Sequence, residues 1–338
     1  MSIQTTDLGG YQQTLICLSN QHIKLTVLAL GATLVNLEIP DKYGVFEPIV
    51  LRYESLETYL QNAKLLGSTV APYAGRISPS ELPLNDTKTL LESKEEAVFL
   101  HSGKANMAHQ VFSIESFSSN HVTLTYTHPD GFAGYPGNIE LKVTYQLDHD
   151  RLAIHFESTS DVMTYVNPTH HSYFNLSGNL KSDIMKHHLK IPSKTLYQLS
   201  KKGIPTHPIE VAGTPFDFQQ STPLEASLKE LKNSTTKGID HPYIVSPLTT
   251  VTLYEPQSGR KLDMQSTYDG LVVYTNNQVS AHTFMPNIKD QPYLGICLEA
   301  QHIPNDVHRD IEPRSKLDPL KRRKHSIWYR FSCDVENH

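Results

Sequence analysis

The sequence predicts an all-β fold: a large, mostly antiparallel β-sandwich with few short helices. Three observations predict it. Apolar residues recur at every second position in several separate stretches, the breaks between stretches hold turn-forming residues, and helical spacing is scarce.

Taken along the chain, Asp41-Lys42-Tyr43-Gly44 and Asn85-Asp86 are the first turn signals. Ser55–Gln61, with Leu56, Tyr59 and Leu60, fits two helical turns. Alternation then sets in: Val122, Leu124 and Tyr126; Ile139, Leu141, Val143, Tyr145 and Leu147; Leu152, Ile154 and Phe156. Asp148-His149-Asp150 separates the last two runs as a hairpin turn. Thr222-Pro223-Leu224-Glu225 opens the best helix, with Thr222 as N-cap, Pro223 as first helical residue and Glu225 as capping-box partner. Leu224, Leu228 and Leu231 give it an apolar stripe. Gln257-Ser258-Gly259 and Asp269-Gly270 are further turns, and Ile327, Tyr329, Phe331 and Cys333 alternate at the end. No repeat, low-complexity segment or linker divides the chain, so one domain over residues 1–338 is expected.

Composition narrows the function. The 338 residues are 38% hydrophobic and 19% charged, with a formal net charge of -5, as in an ordinary soluble globular protein. No basic stripe suits nucleic acid, since the run Lys321-Arg322-Arg323-Lys324 is short and reads as a solvated loop. No apolar stretch of about 18 residues suits a membrane span. Met1 to Asn20 lacks the cations and apolar run of a secretory signal. Cys17, Cys297 and Cys333 are few and far apart, which fits a reducing, cytoplasmic setting without disulfides. GxGxxG, GxxxxGK[ST], GxSxG and HExxH are all absent, which removes the common nucleotide, nucleophile-elbow and zinc readings. His187-His188 lies between Lys186 and Lys190, a poor setting for a cation, so no metal site is expected.

Five stretches concentrate polar residues within strand-like sequence. The central one is Asn167-Pro168-Thr169-His170-His171-Ser172-Tyr173-Phe174-Asn175-Leu176. As a strand, it puts His171, Tyr173 and Asn175 on one face and His170, Ser172 and Phe174 on the other. The others surround Arg76, His101, Asp240 and Glu299, the last interrupting the apolar run Gly295-Ile296-Cys297-Leu298. Taken singly, each has an ordinary reading as a rim histidine, a surface Arg, a capping Asp or an outward carboxylate. Together they supply histidines and a Glu for proton transfer, with Asp and Arg as grips for vicinal hydroxyls. Imidazolium and carboxylate coexist near neutrality when their pKa values stay near about 6.5 and 4.3.

The order and wording of these stretches resemble the aldose 1-epimerase (galactose mutarotase) family. Gly31-Ala32-Thr33-Leu34, Ala74-Gly75-Arg76-Ile77, Leu100-His101-Ser102-Gly103, His171-Ser172-Tyr173-Phe174-Asn175-Leu176, Gly238-Ile239-Asp240-His241, Tyr274-Thr275-Asn276-Asn277 and Leu298-Glu299-Ala300-Gln301-His302 look like its signatures, in its order and over nearly the whole chain. The resemblance implies a galactose mutarotase-like supersandwich and a cofactor-independent isomerase. It would interconvert the α and β anomers of a free aldohexose such as galactose or glucose, as a monomer or homodimer. It implies Glu299 as general base, His171 as general acid and His101 as the second active-site histidine. Arg76, Asp240, Tyr173 and Asn277 would be substrate-binding.

The chain departs from the family pattern at several places. Gly75 stands where the family usually has Asn, Ser102 where it has a second Gly, and Ala300 where Thr is common; Lys104 to Phe112 lacks the usual aromatic-rich continuation. Other readings are a non-catalytic sugar sensor, a lyase or glycosidase using Asp240 and Glu299, and an epimerase for a disaccharide or a sugar phosphate. The last needs extra cations near Arg76, and Tyr73 to Asp86 supplies none.

Overall fold

The computed structural model describes residues 1–84, 87–92 and 98–334; the turn expected at Asn85-Asp86 lies outside them. Two large sheets dominate. The outer one has nine strands, in the order Ser113–Phe117, His121–His128, Ile139–Asp148, Arg151–Ser160, Arg323–Cys333, Arg260–Ser266, Val251–Tyr254, His188–Lys190 and Thr222–Pro223. The inner one has six: Tyr173–Phe174, Ile296–Gln301, Gly270–Tyr274, Asp240–Ile244, Thr195–Leu199 and Pro205–Glu210. A five-stranded sheet runs in sequence order from Ser2–Leu8 to Phe46–Pro48. Pairings within the two large sheets are antiparallel.

Alternation produces the core. Ile139, Leu141, Val143, Tyr145 and Leu147 are all buried, as are Leu152, Ile154 and Phe156 across the Asp148–Arg151 turn. Burial of each such side chain is worth about 1.5–3 kcal/mol. One hydrophobic cluster reaches from Ile16 to Phe331 between the sheets. A second, containing Leu51, Tyr53, Tyr59, Tyr173, Phe284 and Cys297, lies behind the site described below.

Leu224–Leu231 forms an α-helix whose Leu224, Leu228 and Leu231 are buried. Its cap differs from the expected one. Pro223 is the N-cap, in extended conformation and without a side-chain bond. Thr222 pairs with Leu189 at the sheet edge and donates its hydroxyl to the Gln220 carbonyl, while Glu225 binds Lys229 at 2.6 Å. The edge pairing keeps Thr222 and Pro223 extended, so the helix begins one residue later. Leu56–Leu60 is a 3-10 helix capped by Ser55, whose hydroxyl accepts from the Glu57 N–H.

The run Asn167–Leu176 is not one strand. Thr169–His170 pairs with Thr69–Val70, and Tyr173–Phe174 pairs with Ile296–Cys297. Between them His171 exchanges backbone hydrogen bonds with Gly67 and Ser68, which turns the chain from one sheet to the next.

Candidate active site

Glu299 sits on the Ile296–Gln301 strand, in which every residue is buried. Period two puts Cys297, Glu299 and Gln301 on one face, with Ile296, Leu298 and Ala300 in the main core. The outward-charge reading of Glu299 is therefore wrong: it is 2% exposed. Neighbouring strands bring the rest of the site into register. Val272 lies opposite Glu299, Tyr274 opposite Cys297 and Asp240 opposite Tyr274, while Tyr173 flanks Cys297 from the other side.

His171 Nε2 is 3.4 Å from Glu299 Oε1. Its Nδ1 faces the Cys297 thiol at 3.6 Å, and its ring packs on Tyr173 with centroids 5.1 Å apart. Tyr173 is buried and donates its hydroxyl to the Lys64 carbonyl, so it braces the histidine from behind. The His101 and His171 rings meet edge to face at 5.5 Å. His101 is held by a reciprocal pair: its N–H donates to the Gly75 carbonyl at 2.8 Å, and the Gly75 N–H donates to His101 Nδ1 at 3.1 Å. Nδ1 thus keeps its lone pair, and the neutral ring carries its proton on Nε2.

His101 and Ser102 both have left-handed backbones, with φ of 46° and 61°. Such non-glycine conformations cost about 1–3 kcal/mol and persist only when their surroundings fix them. Here the Ser102 hydroxyl accepts from the Tyr73 N–H and donates to the Tyr73 carbonyl. The Ser102 departure therefore adds a clamp beside His101. The Gly75 departure opens no space. A Cβ at Gly75 would lie 2.5 Å from Pro304 Cγ and 2.7 Å from its Cβ, so Pro304 occupies the position of the missing side chain.

Burial dominates the electrostatics. It pushes the Glu299 carboxyl up to about 8; the Asp240 charge adds to this and Arg76 opposes it. Burial also pushes the His171 imidazole down to about 4, with the Lys64 ammonium contributing in the same direction. His101 falls well below the usual imidazole range through burial and then through His171 and Arg76. The values expected from sequence are therefore reversed: at neutral pH the carboxyl keeps its proton and the imidazole lacks one.

A narrow recess of about 30 Å³, walled by His101, Glu299, Gln301, Val272 and Pro304, ends at Arg76 and Asp240. Arg76 and Asp240 face each other at 3.7 Å and also line the inner end of an open cleft of about 1080 Å³. Asn277 is in that cleft wall with both amide ends occupied, by the Thr275 hydroxyl and the Ile239 carbonyl. Asn175 does not line the site; its amide bonds the Ser182 and Leu294 carbonyls. Gln301 was missed by sequence reasoning, although it shares Glu299's face two residues on. Its Nε2 is 3.4 Å from Glu299 Oε2, and its buried Oε1 has no partner.

One ligand atom each from His101, His171 and Glu299 falls within 4.8 Å of the others, as a metal site would require. The donor set does not fit. His101 can ligate from Nε2 only if its proton moves to Nδ1, and the Gly75 N–H points at Nδ1.

The sequence profile of the aldose 1-epimerase family matches residues 14–330. Human galactose mutarotase is 30% identical over 330 residues, covering 96% of this chain and 95% of that protein. The aldose 1-epimerase of Haemophilus influenzae is 29% identical over 303 residues, covering 88% of each. Among solved structures, galactose 1-epimerase from Lactobacillus acidophilus superposes with a TM-score of 0.84 at 27% identity, covering 98% of this chain and 99% of that one. An aldose epimerase homologue from C. elegans superposes with a TM-score of 0.88 at 22% identity, covering 96% and 100%, which shows the shared fold.

Proposed function

The chain belongs to the aldose 1-epimerase family and is an isomerase of that class; on that premise we propose that Glu299 and His171 carry out the proton transfers on an aldohexose, galactose or glucose being the first to test. One observation carries the assignment. Two buried titratable groups of opposite type sit 3.4 Å apart, Glu299 in the wall of the recess and His171 against it, with only weak protein partners for their reactive atoms.

Glu299 removes the proton from the anomeric hydroxyl as C1=O forms and the C1–O5 bond breaks. His171 Nε2–H gives its proton to O5. The open aldehyde turns about C1–C2 by half a turn, O5 attacks the other face, and both protons return. Each positioned transfer is worth about 10²–10⁴-fold. His101 stays neutral and offers its Nε2–H to the ring oxygen. Arg76 and Asp240 hold hydroxyls at the neck of the cleft. Tyr173 keeps the His171 ring in place, Asn277 shapes the wall, and Gln301 orients Glu299.

The reversed acidities do not obstruct this chemistry. A protonated carboxyl beside a neutral imidazole holds the same number of protons as a carboxylate beside an imidazolium. Moving one proton across 3.4 Å converts one form to the other without exchange with solvent. A bound aldose favours the second form, because its O1–H donates to the carboxylate and O5 accepts from the imidazolium.

Among the described residues no helix is long and apolar enough to cross a membrane. The three cysteines are free, which supports a reducing, cytoplasmic setting. The test is polarimetry of freshly dissolved α-glucose and α-galactose. Acceleration over buffer is expected; sugar binding by calorimetry with no acceleration on any common aldose overturns the assignment in favour of a sensor.

A further inference from the structure

The turn that anchors His171 carries a cation that the mechanism leaves unused. Gly67 and Ser68 exchange backbone hydrogen bonds with His171. Asn62 locks the turn leading to them: its side chain accepts from the Leu66 N–H at 2.8 Å and donates to the Ser68 hydroxyl at 2.7 Å. Lys64 lies inside this turn. Its carbonyl accepts from the Tyr173 hydroxyl at 3.1 Å, and its ammonium reaches Asp290 at 3.0 Å. The two side chains are only 9% and 0% exposed. A cation so buried is costly unless it is paired and hydrogen-bonded, which fixes its place.

The ammonium also donates to Asn276 Oδ1 at 2.7 Å and to the Gln278 carbonyl at 2.6 Å. These two residues flank Asn277, and Asn277, Gln278 and Val279 line the cleft. Asp290 completes the clamp. It accepts from Asn276 Nδ2 at 3.0 Å, from the Ser280 N–H at 2.7 Å and from the Ser280 hydroxyl at 2.8 Å. The wall segment from Asn276 to Asp290 is therefore folded around one carboxylate, and the Lys64 ammonium joins it to the turn that anchors His171. Asn276 has a left-handed backbone, with φ of 48°, which persists because these bonds fix it.

We propose that Lys64 is a positioning residue of the reaction: its ammonium pins the cleft wall at Asn276 and Gln278, while its carbonyl holds Tyr173 behind the His171 ring. One residue thereby keeps the wall that meets the sugar in register with the proton-transfer pair. This rests on the reading of Glu299 and His171 as that pair. The charge has a second consequence. Glu299 and Cys297 face His171 from their strand, His101 from its loop, and His170 and Tyr173 from its own segment. Lys64 is the fixed cation whose charge disfavours the His171 imidazolium. Without it, His171 should take up a proton at higher pH.

The test measures kcat and KM for glucose and galactose by NMR anomer exchange across pH, in the wild type, Lys64→Met, Lys64→Arg and Asn276→Gly. Lys64→Met keeps the carbonyl and removes the charge, and Asp290 keeps its donors from Asn276 and Ser280. Its KM should rise roughly tenfold, as for a lost charge-assisted hydrogen bond, with kcat within about threefold. The acid limb of its kcat/KM profile should move to higher pH. Lys64→Arg keeps a cation and should leave that limb in place. Asn276→Gly suits the left-handed backbone and frees the wall with Lys64 still charged, so KM should rise and the limb stay. A KM and acid limb unchanged in Lys64→Met overturn the proposal, as does a loss of kcat alone, the mark of a merely structural role. A limb that moves equally in Lys64→Arg overturns it as well. If Lys64→Met does not fold, Asn276→Gly decides, and an unchanged KM there overturns the proposal. A wild type that accelerates neither sugar overturns the epimerase reading and this inference with it.

Discussion

His170 and His171 are chain neighbours, 1% and 5% exposed, and they face opposite regions of the molecule. On the core side, the Tyr145 hydroxyl donates to the Ala32 carbonyl at 2.5 Å, so His170 Nε2–H donates to the Tyr145 oxygen at 2.9 Å. His170 Nδ1 then accepts from Ser172 at 3.1 Å. Every polar atom of that ring is satisfied, one tautomer is fixed, and burial pushes its pKa down to about 3, which keeps the ring neutral. On the Glu299 side, His171 has a thiol at 3.6 Å and a carboxyl at 3.4 Å, and Gln301 offers Glu299 only a long contact. Both rings are buried, so burial does not separate them. What separates them is the hydrogen-bonding capacity left for a ligand. A satisfied buried histidine stabilises; an unsatisfied one beside a carboxyl can move protons.

The strongest way to break this comparison is Glu299→Gln. It should lower kcat by about 10²–10⁴-fold in polarimetry with the fold intact. It should also change stability in a pH-dependent way. The folded carboxyl titrates near 8 against a reference of 4.5, so the wild type loses stability as pH rises through that window. The Gln variant escapes this loss: its Tm should exceed wild type by several degrees at pH 9 and match it near pH 5. Equal Tm differences at both pH values would contradict the buried-carboxyl account.

Next come the two histidines side by side. His171→Asn should cost about 10²–10⁴-fold in kcat and little stability. His170→Ala should cost about 2–4 kcal/mol in denaturant unfolding, through a cavity and an unpaired Tyr145 oxygen, with kcat retained within a few-fold. A folded His170→Ala protein without activity would collapse the distinction.

A subtler effect concerns the shared proton. The pair holds one proton between about pH 4, where His171 takes a second, and about pH 8, where Glu299 loses its own. The free-enzyme kcat/KM profile should fall on both sides of that window. Asp240 raises the Glu299 pKa by its charge, so Asp240→Asn should move the alkaline limb to lower pH as well as weaken substrate binding. A limb that stays in place would separate Asp240 from the pair.

The smallest expected effect is at Gly75. Gly75→Asn restores the residue common in the family, but its side chain meets Pro304. A loss of about 1–3 kcal/mol is expected in denaturant titration, without a gain in sugar affinity.

Much of this was legible in the sequence. Period-two alternation located the central strands, because a half-buried strand must alternate. Glu299, His171, His101, Arg76 and Asp240 were named from local wording. Gln301 was within reach by the same alternation, since it shares Glu299's face. The Thr222 cap was misplaced because capping preferences compete with sheet-edge pairing, which is not local.

The sequence by itself determined the fold class and the family and singled out the candidates for the acid–base pair, since these depend on side-chain type and on periodicity along one strand. Tertiary structure alone decided three further matters. Strand register and the turn at His171 placed Glu299 and His171 within 3.4 Å, and shared burial reversed their acidities. Pro304, distant in sequence, filled the space that Gly75 leaves. Two loops, carrying Lys201, Lys202 and Lys237, line the wide cleft that Arg76 and Asp240 also line. Distances, burial and cleft charge arise from segments far apart in the chain, and chain folding alone brings them together.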